Sequence, residues 1–581
     1  MHGNFSRTIH LLYVLLAASA VYACAHWPAL TNPYVTNDDV RQQIFWMQQW
    51  RDPELYRNDL LTAYAKNYVP WGVQGIYRAA APFINPVQFT KVLTGLLFVI
   101  TAGLLYGIGL QFHDDLTAVF IGCTFCIMGH SMSKISGGLS QSFAFPLLAA
   151  YLFFLGRNNL IGAGILVLLQ SVLNPYIFLL CFVTYGVFLV YNIGKIVLPW
   201  LPDHGYYISS PQWVVASSRK AIPNVQKVGF FSNLISGLRA SSIPPVSVVL
   251  SGLLVMAGCI LILLKYAVYS PHEFGPLVTW GEMLGKLEYS ATGRYELVPI
   301  PSLFYELIRP WIFNLPFLTW GPLVAWILAI PGIALIIFGL ARGKWDIDLS
   351  GFRVFGYLFV ASLLCYVAAC ALIFKLFVPR RYVEFSLNIF YCVAIGACIR
   401  AALRALVPDR IAFPLASTLF IVLAAFSLYR TGIYDYSKDA ALYKFVQSTP
   451  KSSLMAGNPS LMDNVLTFGR RKAFVTYKLS HTWYKTYWSI IKKRTFDLFR
   501  AYYAQDPEVV REFCRKNGID YLIVRDADFK PDYLKKGEIH FEPFDSYIRD
   551  LVKFRAHFAV LDGKTFPPIY NKGGIRVIDM R

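Results

Sequence analysis

Two adjacent acids and a cation stand just after the first apolar stretch, in Tyr34-Val-Thr-Asn-Asp38-Asp39-Val-Arg41. Neighbouring carboxylates can act as a general base on a hydroxyl or amine, since each tends to raise the pKa of the other. The same residues also fit a helix start. Thr36 and Asp39 have capping-box spacing in an acidic form, and acids suit a helix N-terminus. For Asp38 and Asp39 both readings stand at this point. The spacing predicts a helix over residues 40–50, with Val40, Ile44 and Met47 on one face and Arg41 elsewhere, lying flat on a membrane surface.

A second charged group, Pro379-Arg380-Arg381-Tyr382-Val-Glu384, opens a late apolar run. Guanidinium groups are planar, multidentate donors, so Arg380 and Arg381 are candidate ligands for an anionic lipid phosphate, with Tyr382 beside them. Glu384 is a partner for one of the two. Snorkelling anchors are the plainer alternative. His130 and Lys134, in a polar stretch ending at Gly137-Gly138, are further candidates for phosphate or sugar, and the glycine pair permits close backbone approach. His272-Glu273 joins two metal-competent side chains, but no spacing completes a coordination set, and a substrate-covering loop is the simpler reading. Cys123-Thr-Phe-Cys126 has redox spacing inside an apolar run and reads as helix packing.

These residues must be positioned by elements of an unusual kind. The chain has 581 residues, 56% hydrophobic and 15% charged, where a soluble chain carries about 25% charge. An ordinary soluble enzyme is excluded. Scanning for windows of roughly 20 apolar residues gives about eleven candidate spans, at approximately 9–27, 89–110, 116–130, 141–155, 160–173, 175–194, 246–268, 316–340, 354–377, 383–399 and 411–428. Asn174-Pro175 predicts a break between two of them. The first window is long enough to cross a bilayer and reads as a span, although Ala23-Cys24-Ala25 resembles a leader cleavage site.

Placing the N-terminus in the cytoplasm puts most basic loops on that side, as the positive-inside rule asks. The 195–245 connection carries Arg219, Lys220, Lys227 and Arg239, and later loops carry Arg342, Lys344, Arg400 and Arg404. Only the His113-Asp114-Asp115 turn dissents. An odd number of spans then leaves loops 28–86 and 269–315 and everything beyond 429 outside. The formal charge of +20 could suggest nucleic acid, but the outward topology argues against it and favours membrane lipids. The membrane part is expected over 1–430 and a separate extracytoplasmic α/β domain over 436–581. Strands are predicted near 453–456, 472–477, 520–524, 557–561 and 575–580, with a helix over 508–516. No phosphate-cradling glycine loop stands in this tail.

An acidic motif in a long first outer loop, about eleven spans, a Pro-Arg-Arg-Tyr entry to a late span and an exterior C-terminal domain together resemble the GT-C superfamily of membrane glycosyltransferases. The likeness covers residues 1–430 through layout more than identity, and is nearest to the dolichyl-phosphate-mannose or aminoarabinose transferase type in bacteria. That resemblance implies transfer of a sugar from a polyprenyl-phosphate donor to a lipid, glycan or protein, with inversion, at the outer face of a bacterial inner membrane. Carried onto this sequence, it makes Asp38 or Asp39 the base and Arg380, Arg381 and Lys134 the donor-phosphate ligands. Arg41, His130, His272, Glu273 and Tyr382 become substrate-loop candidates. Some branches of the family require a divalent metal; the incomplete ligand set here favours none, and no other cofactor is implied. No Trp-Trp-Asp motif of the oligosaccharyltransferase branch occurs, which disfavours en bloc transfer to protein Asn. A transporter or flippase of lipid-linked saccharide, or a noncatalytic assembly protein, remains the alternative.

Overall fold

In lipid a backbone satisfies its own hydrogen bonds by coiling, and every apolar window lies on a helix in the computed structural model of the chain. It describes residues 2–197, 244–269, 272–296, 302–314, 322–342, 349–372, 375–376, 378–535, 538–553, 555 and 557–581. The windows correspond to His2–Ala25, Pro86–Gly109, the pair Asp115–Phe125 and Gly129–Ile135, Ala144–Gly156, Leu160–Leu173, Pro175–Val197, Pro245–Leu263, Pro322–Arg342, Arg353–Ala371, Arg380–Leu406 and Asp409–Ser427. Among the described residues six helices are long and apolar enough to cross a membrane, and the pair, bent by 65°, makes a seventh if counted as one span. The other windows fall on helices that are shorter over their described residues, such as Leu160–Leu173. The break at Asn174-Pro175 is present. Asn174 Oδ1 accepts from the backbone N–H of Tyr176 and Ile177 and so starts the next helix as it ends the last.

Charge pairing marks one end of the helices. Arg400 reaches Asp114 at 3.0 Å and Asp409 at 2.7 Å, and Arg7 reaches Asp115 at 2.9 Å. The acidic turn that dissents from the basic loops is therefore neutralised by them. Arg219, Lys220, Lys227, Arg239 and Lys344 lie outside the described residues.

The segments expected outside gather at the other end, against the C-terminal α/β part. A two-stranded ribbon ties them, with β1 (Val35–Thr36) antiparallel to β2 (Tyr434–Asp435). Beyond it a five-stranded sheet runs in the order β4-β3-β5-β7-β6, from β3 (Leu454–Gly457), β4 (Lys472–Ala473), β5 (Tyr521–Arg525), β6 (Pro568–Lys572) and β7 (Ile575–Asp579). Strands β4, β3 and β5 are parallel, while β7 is antiparallel to both β5 and β6.

Two strand expectations need correcting. Residues 559–561 form a single 3-10 turn, because Ala559 N–H is drawn to Ala504 O at 2.8 Å. The edge strand is β6 instead, joined to β7 through Gly573-Gly574, both at positive φ as a tight hairpin turn requires. Strand 472–477 shortens to Lys472–Ala473, and its remainder peels away toward the first loop.

A single buried apolar core runs from membrane helices (Phe98, Leu148) through the first loop (Ile44, Trp46) into the sheet (Met455, Leu522). That continuity overturns the expectation of a surface-lying helix at 40–50. The segment is a short helix, Val40–Gln43, followed by a 3-10 stretch, Phe45–Trp50, and residues 40–48 are all buried. Its polar face is satisfied by the C-terminal part rather than by headgroups: Gln48 Nε2 donates to Thr467 O at 3.0 Å.

Candidate active site

Asp38 and Asp39 occupy the turn between β1 and helix Val40–Gln43, and neither caps that helix with its side chain. Asn37 does the local work. Its Oδ1 accepts from Asp39 N–H at 3.0 Å, and its Nδ2 donates to Gly432 O at 2.8 Å. The carboxylates are thereby released for other contacts.

Their environments differ. Asp38 is clamped by ion pairs with Arg41 and Lys478, and Tyr436 donates its hydroxyl to Asp38 Oδ1 at 2.8 Å. Burial by itself would raise the Asp38 carboxyl, but the two cations outweigh it and hold it below the ordinary carboxylate range. The raised pKa expected from adjacency is therefore corrected for Asp38. Asp39 is held more loosely, with Lys478 Nζ 3.3 Å from Oδ1 and Gln141 Nε2 3.5 Å from Oδ2. Its carboxylate is the one with spare acceptor capacity.

Arg41 is 7% exposed and works as a bolt between the first loop and the C-terminal part. It donates to Asn464 Oδ1 at 2.8 Å, lies 3.8 Å from Asp463 and stacks over the Tyr436 ring at 4.2 Å. This is a structural task rather than the substrate contact anticipated for it. Asp463 accepts from Lys478 N–H at 3.0 Å, and burial pushes its carboxyl up to about 6 against the pull of Arg41.

Arginine enters from the opposite side. Helix Arg380–Leu406 starts with Arg380 and Arg381, and Arg381 lies over the Tyr176 ring at 4.6 Å. It interacts electrostatically with Tyr68, Glu384 and Asp39. The half-buried phenol of Tyr68, raised mainly by desolvation, feels both charges, lowered by Arg381 and raised by Asp39. Acid from the first loop and guanidinium from a late helix are therefore both felt by one phenol.

Aromatic rings gather beside Tyr68. His481 stacks on Trp483 at 4.2 Å, Tyr295 lies 5.4 Å from Trp483, and Tyr68 lies 5.9 Å from it. Tyr68 thus packs against rings of the C-terminal part. His481 is fully enclosed, touching Gln42 Nε2 at 2.7 Å and Tyr64 Oη at 3.0 Å, and burial holds its imidazole far below the usual value.

Behind Arg381 lies a second charge cluster centred on Glu384, whose side chain is 5% exposed. His130 Nε2 is 2.6 Å from Glu384 Oε1, Lys134 Nζ is 3.1 Å away, and Arg380 Nη2 is 3.8 Å away. Arg380 also leans toward Glu306 at 4.0 Å, yet its buried Nε–H has no hydrogen-bond acceptor. Of the cations expected to share one phosphate, Lys134 and Arg380 are thus brought together on Glu384, with Arg381 next in the chain, and Glu384 pairs with Arg380 as the sequence suggested. Tyr382 is turned away, donating its hydroxyl to Leu376 O at 2.9 Å.

His272 and Glu273 are exposed in a short 3-10 turn, and no hydrogen bond or ion pair joins them to either charge cluster. Among the described residues no group of three or more His, Cys, Asp or Glu side chains is placed to hold a metal ion. The loop that carries them is anchored rather than free. Val278 N–H donates to Trp483 O at 2.9 Å, and Glu288 accepts from Trp488 Nε1 at 2.9 Å.

Sequence reasoning missed Lys478, Asp463, Asn464, Tyr436, His481 and Trp483. All belong to the C-terminal part, and the only local signal was a run of aromatics broken by Lys478 and His481 in Tyr477-Lys-Leu-Ser-His-Thr-Trp-Tyr484.

No protein-family model and no curated protein matches the sequence. Solved structures overlap it at low identity. A crystal structure of the Archaeoglobus fulgidus oligosaccharyltransferase tethered with an acceptor peptide is 11% identical, with a TM-score of 0.46 over 90% of this chain and 70% of that one. The archaeal oligosaccharyltransferase AglB in complex with an inhibitory peptide and a dolichol-phosphate gives 11%, 0.44, 91% and 71% in the same terms. ArnT from Cupriavidus metallidurans bound to undecaprenyl phosphate is 12% identical, with a TM-score of 0.44 over 98% of this chain and 97% of that chain.

Proposed function

We propose that this chain is a membrane glycosyltransferase of GT-C type, moving a sugar from a polyprenyl-phosphate donor to a lipid, glycan or protein acceptor. One observation carries the reading: the acid pair of the first loop and the cations Lys134, Arg380 and Arg381 bracket half-buried Tyr68, which packs by His481 and Trp483 and feels both Asp39 and Arg381. An acid alone would suit many reactions. An acid facing a guanidinium backed by Lys134 and Arg380 suits a displacement in which a proton leaves one partner while negative charge grows on the other.

The step runs as follows in this site. The acceptor hydroxyl or amine gives its proton to the Asp39 carboxylate as its heteroatom bonds to the anomeric carbon. The carbon–oxygen bond to phosphate breaks, its electron pair leaving with polyprenyl phosphate, whose charge Arg381, Arg380 and Lys134 hold. Tyr68, Tyr295 and Trp483 offer ring faces to a sugar and exclude water. Attack from the side opposite the leaving group inverts the anomeric centre. His272 and Glu273 take no part.

The compartment follows from the same chemistry. The donor arrives through the bilayer already activated, so the absence of a nucleotide-binding loop is no obstacle at an outer face. We place the C-terminal part over 436–581 outside a bacterial inner membrane, with the N-terminus in the cytoplasm, on the strength of the basic residues gathered about Arg400 at the other end.

The test compares cell-envelope lipids and glycans by mass spectrometry in cells with the protein, without it, and with Asp39→Asn. Loss of one sugar residue in both altered strains is expected. An unchanged envelope without the protein, or coupled flux of a saccharide lipid through proteoliposomes without sugar transfer, would overturn the assignment.

A further inference from the structure

The acid pair is completed by a residue more than four hundred positions away. Lys478 Nζ forms an ion pair with Asp38 Oδ2 and lies 3.3 Å from Asp39 Oδ1, bridging both carboxylates with one ammonium. Its backbone is fixed independently, since Lys478 N–H donates to Asp463 Oδ1 at 3.0 Å. Leu479 N–H in turn is taken by Thr476 Oγ1 at 3.3 Å. A lysine in a loose loop would sample many rotamers; here the stem is held at its root, so the charge is delivered to one place.

We infer that Lys478 is a positioning residue of the active site, dividing the work of the two acids by neutralising Asp38 and fixing the orientation of Asp39. The inference rests on the glycosyltransferase reading only for what Asp39 then does. The division itself is electrostatic. Two carboxylates on consecutive residues repel each other, and a shared cation removes that repulsion without filling the outer lone pairs of Asp39. Arg41, held by Asp463, Asn464 and Tyr436, reaches Asp38 alone.

The groups that face this trio come from every surrounding element. Arg41 stands on the first-loop helix, Asp463 and Tyr436 on the C-terminal part, and Arg381 on the late membrane helix. Tyr295 and Arg294 complete the ring, and the Tyr295 phenol feels Asp39, Lys478 and Arg381 together. Among these, Lys478 is the cation that contacts both acids. Because it is carried by the C-terminal part, that part completes the site and is not only a dock for acceptors.

The experiment uses the full chain in lipid nanodiscs. A water-soluble carbodiimide with an amine nucleophile modifies protonated carboxyls, and mass spectrometry of the peptide carrying Asp38 and Asp39 gives modification against pH. Lys478→Met is expected to raise the midpoint by about one pH unit or more, while Lys478→Arg restores it. With the matching donor, the acidic limb of kcat/KM should rise in the same direction while donor binding stays unchanged. An unmoved midpoint in a folded Met variant overturns the inference. If Lys478→Met does not fold, Lys478→Gln is read by the same criterion. A normal shift in a protein that transfers no sugar would sink the glycosyltransferase reading and leave this one standing.

Discussion

Arg41 Nη1 donates to Asn464 Oδ1 at 2.8 Å across a separation of 423 positions in the chain. The bond is buried, and it joins the first loop to the helix that follows β3. Three further partners, Asp38, Asp463 and the Tyr436 ring, converge on the same guanidinium. Anything that removes this cation leaves buried acceptors and a buried acid without compensation.

Arg41→Met should therefore destabilise the protein by about 3 kcal/mol or more, the usual scale for breaking one side of a buried ion pair. Thermal unfolding in detergent, followed by tryptophan fluorescence, measures it. A change within experimental scatter would show that the guanidinium is not the bolt described.

Asp463 predicts a pH dependence with a definite sign. Its carboxyl is raised in the fold to about 6 from 3.8, with burial the first cause. The folded state then binds the proton more tightly, so this group's contribution is fully present below about 4 and is lost as pH rises through about 6. The difference in melting temperature between the wild type and Asp463→Asn should change across that window, by the equivalent of about 3 kcal/mol, and flatten above it. Asp38 acts in the opposite sense: its lowered pKa contributes stability above the ordinary carboxylate value that is lost as pH falls through its folded one.

The two acids should separate in function. Asp39→Asn is expected to lower transfer by roughly a hundredfold or more, the range of general base catalysis, while leaving melting temperature and polyprenyl-phosphate binding unchanged. Asp38→Asn should cost stability first, since it strips a partner from both Arg41 and Lys478. Equal kinetic losses with equal stabilities would refute this separation.

Glu384 supplies the fourth test. Its buried carboxylate restrains His130, Lys134 and Arg380. Glu384→Gln should lower stability by several kcal/mol, yet leave an excess of positive charge that binds inorganic phosphate more tightly. Arg381→Ala should do the reverse, sparing the fold and weakening the binding of polyprenyl phosphate. Isothermal titration in nanodiscs distinguishes the two.

Removal of divalent ions with EDTA is expected to leave transfer intact. Loss of activity restored by magnesium or manganese would require a ligand set beyond the residues assigned here.

Much of the membrane layout was legible because apolar length and charge placement are local properties. The Asn174-Pro175 break, the acidic loop and the paired arginines could be read from a few neighbouring letters. The 40–50 segment misled because a polar stripe predicts water or headgroups, whereas here Gln48 and Arg41 find partners on a distant chain segment. Lys478 was invisible for the same reason. Nothing near it in sequence says that it meets Asp38, and its partner lies at the other end of the chain. The closing hairpin was missed because β6 is largely exposed, with Tyr570 the only aromatic to mark it.

The short ribbon of β1 and β2 has a mechanical corollary. With Val35 paired to Asp435 and Thr36 to Tyr434, the chain that enters the acid turn is stitched to the C-terminal part beside it, and a cross-link placed over that seam should be silent in turnover.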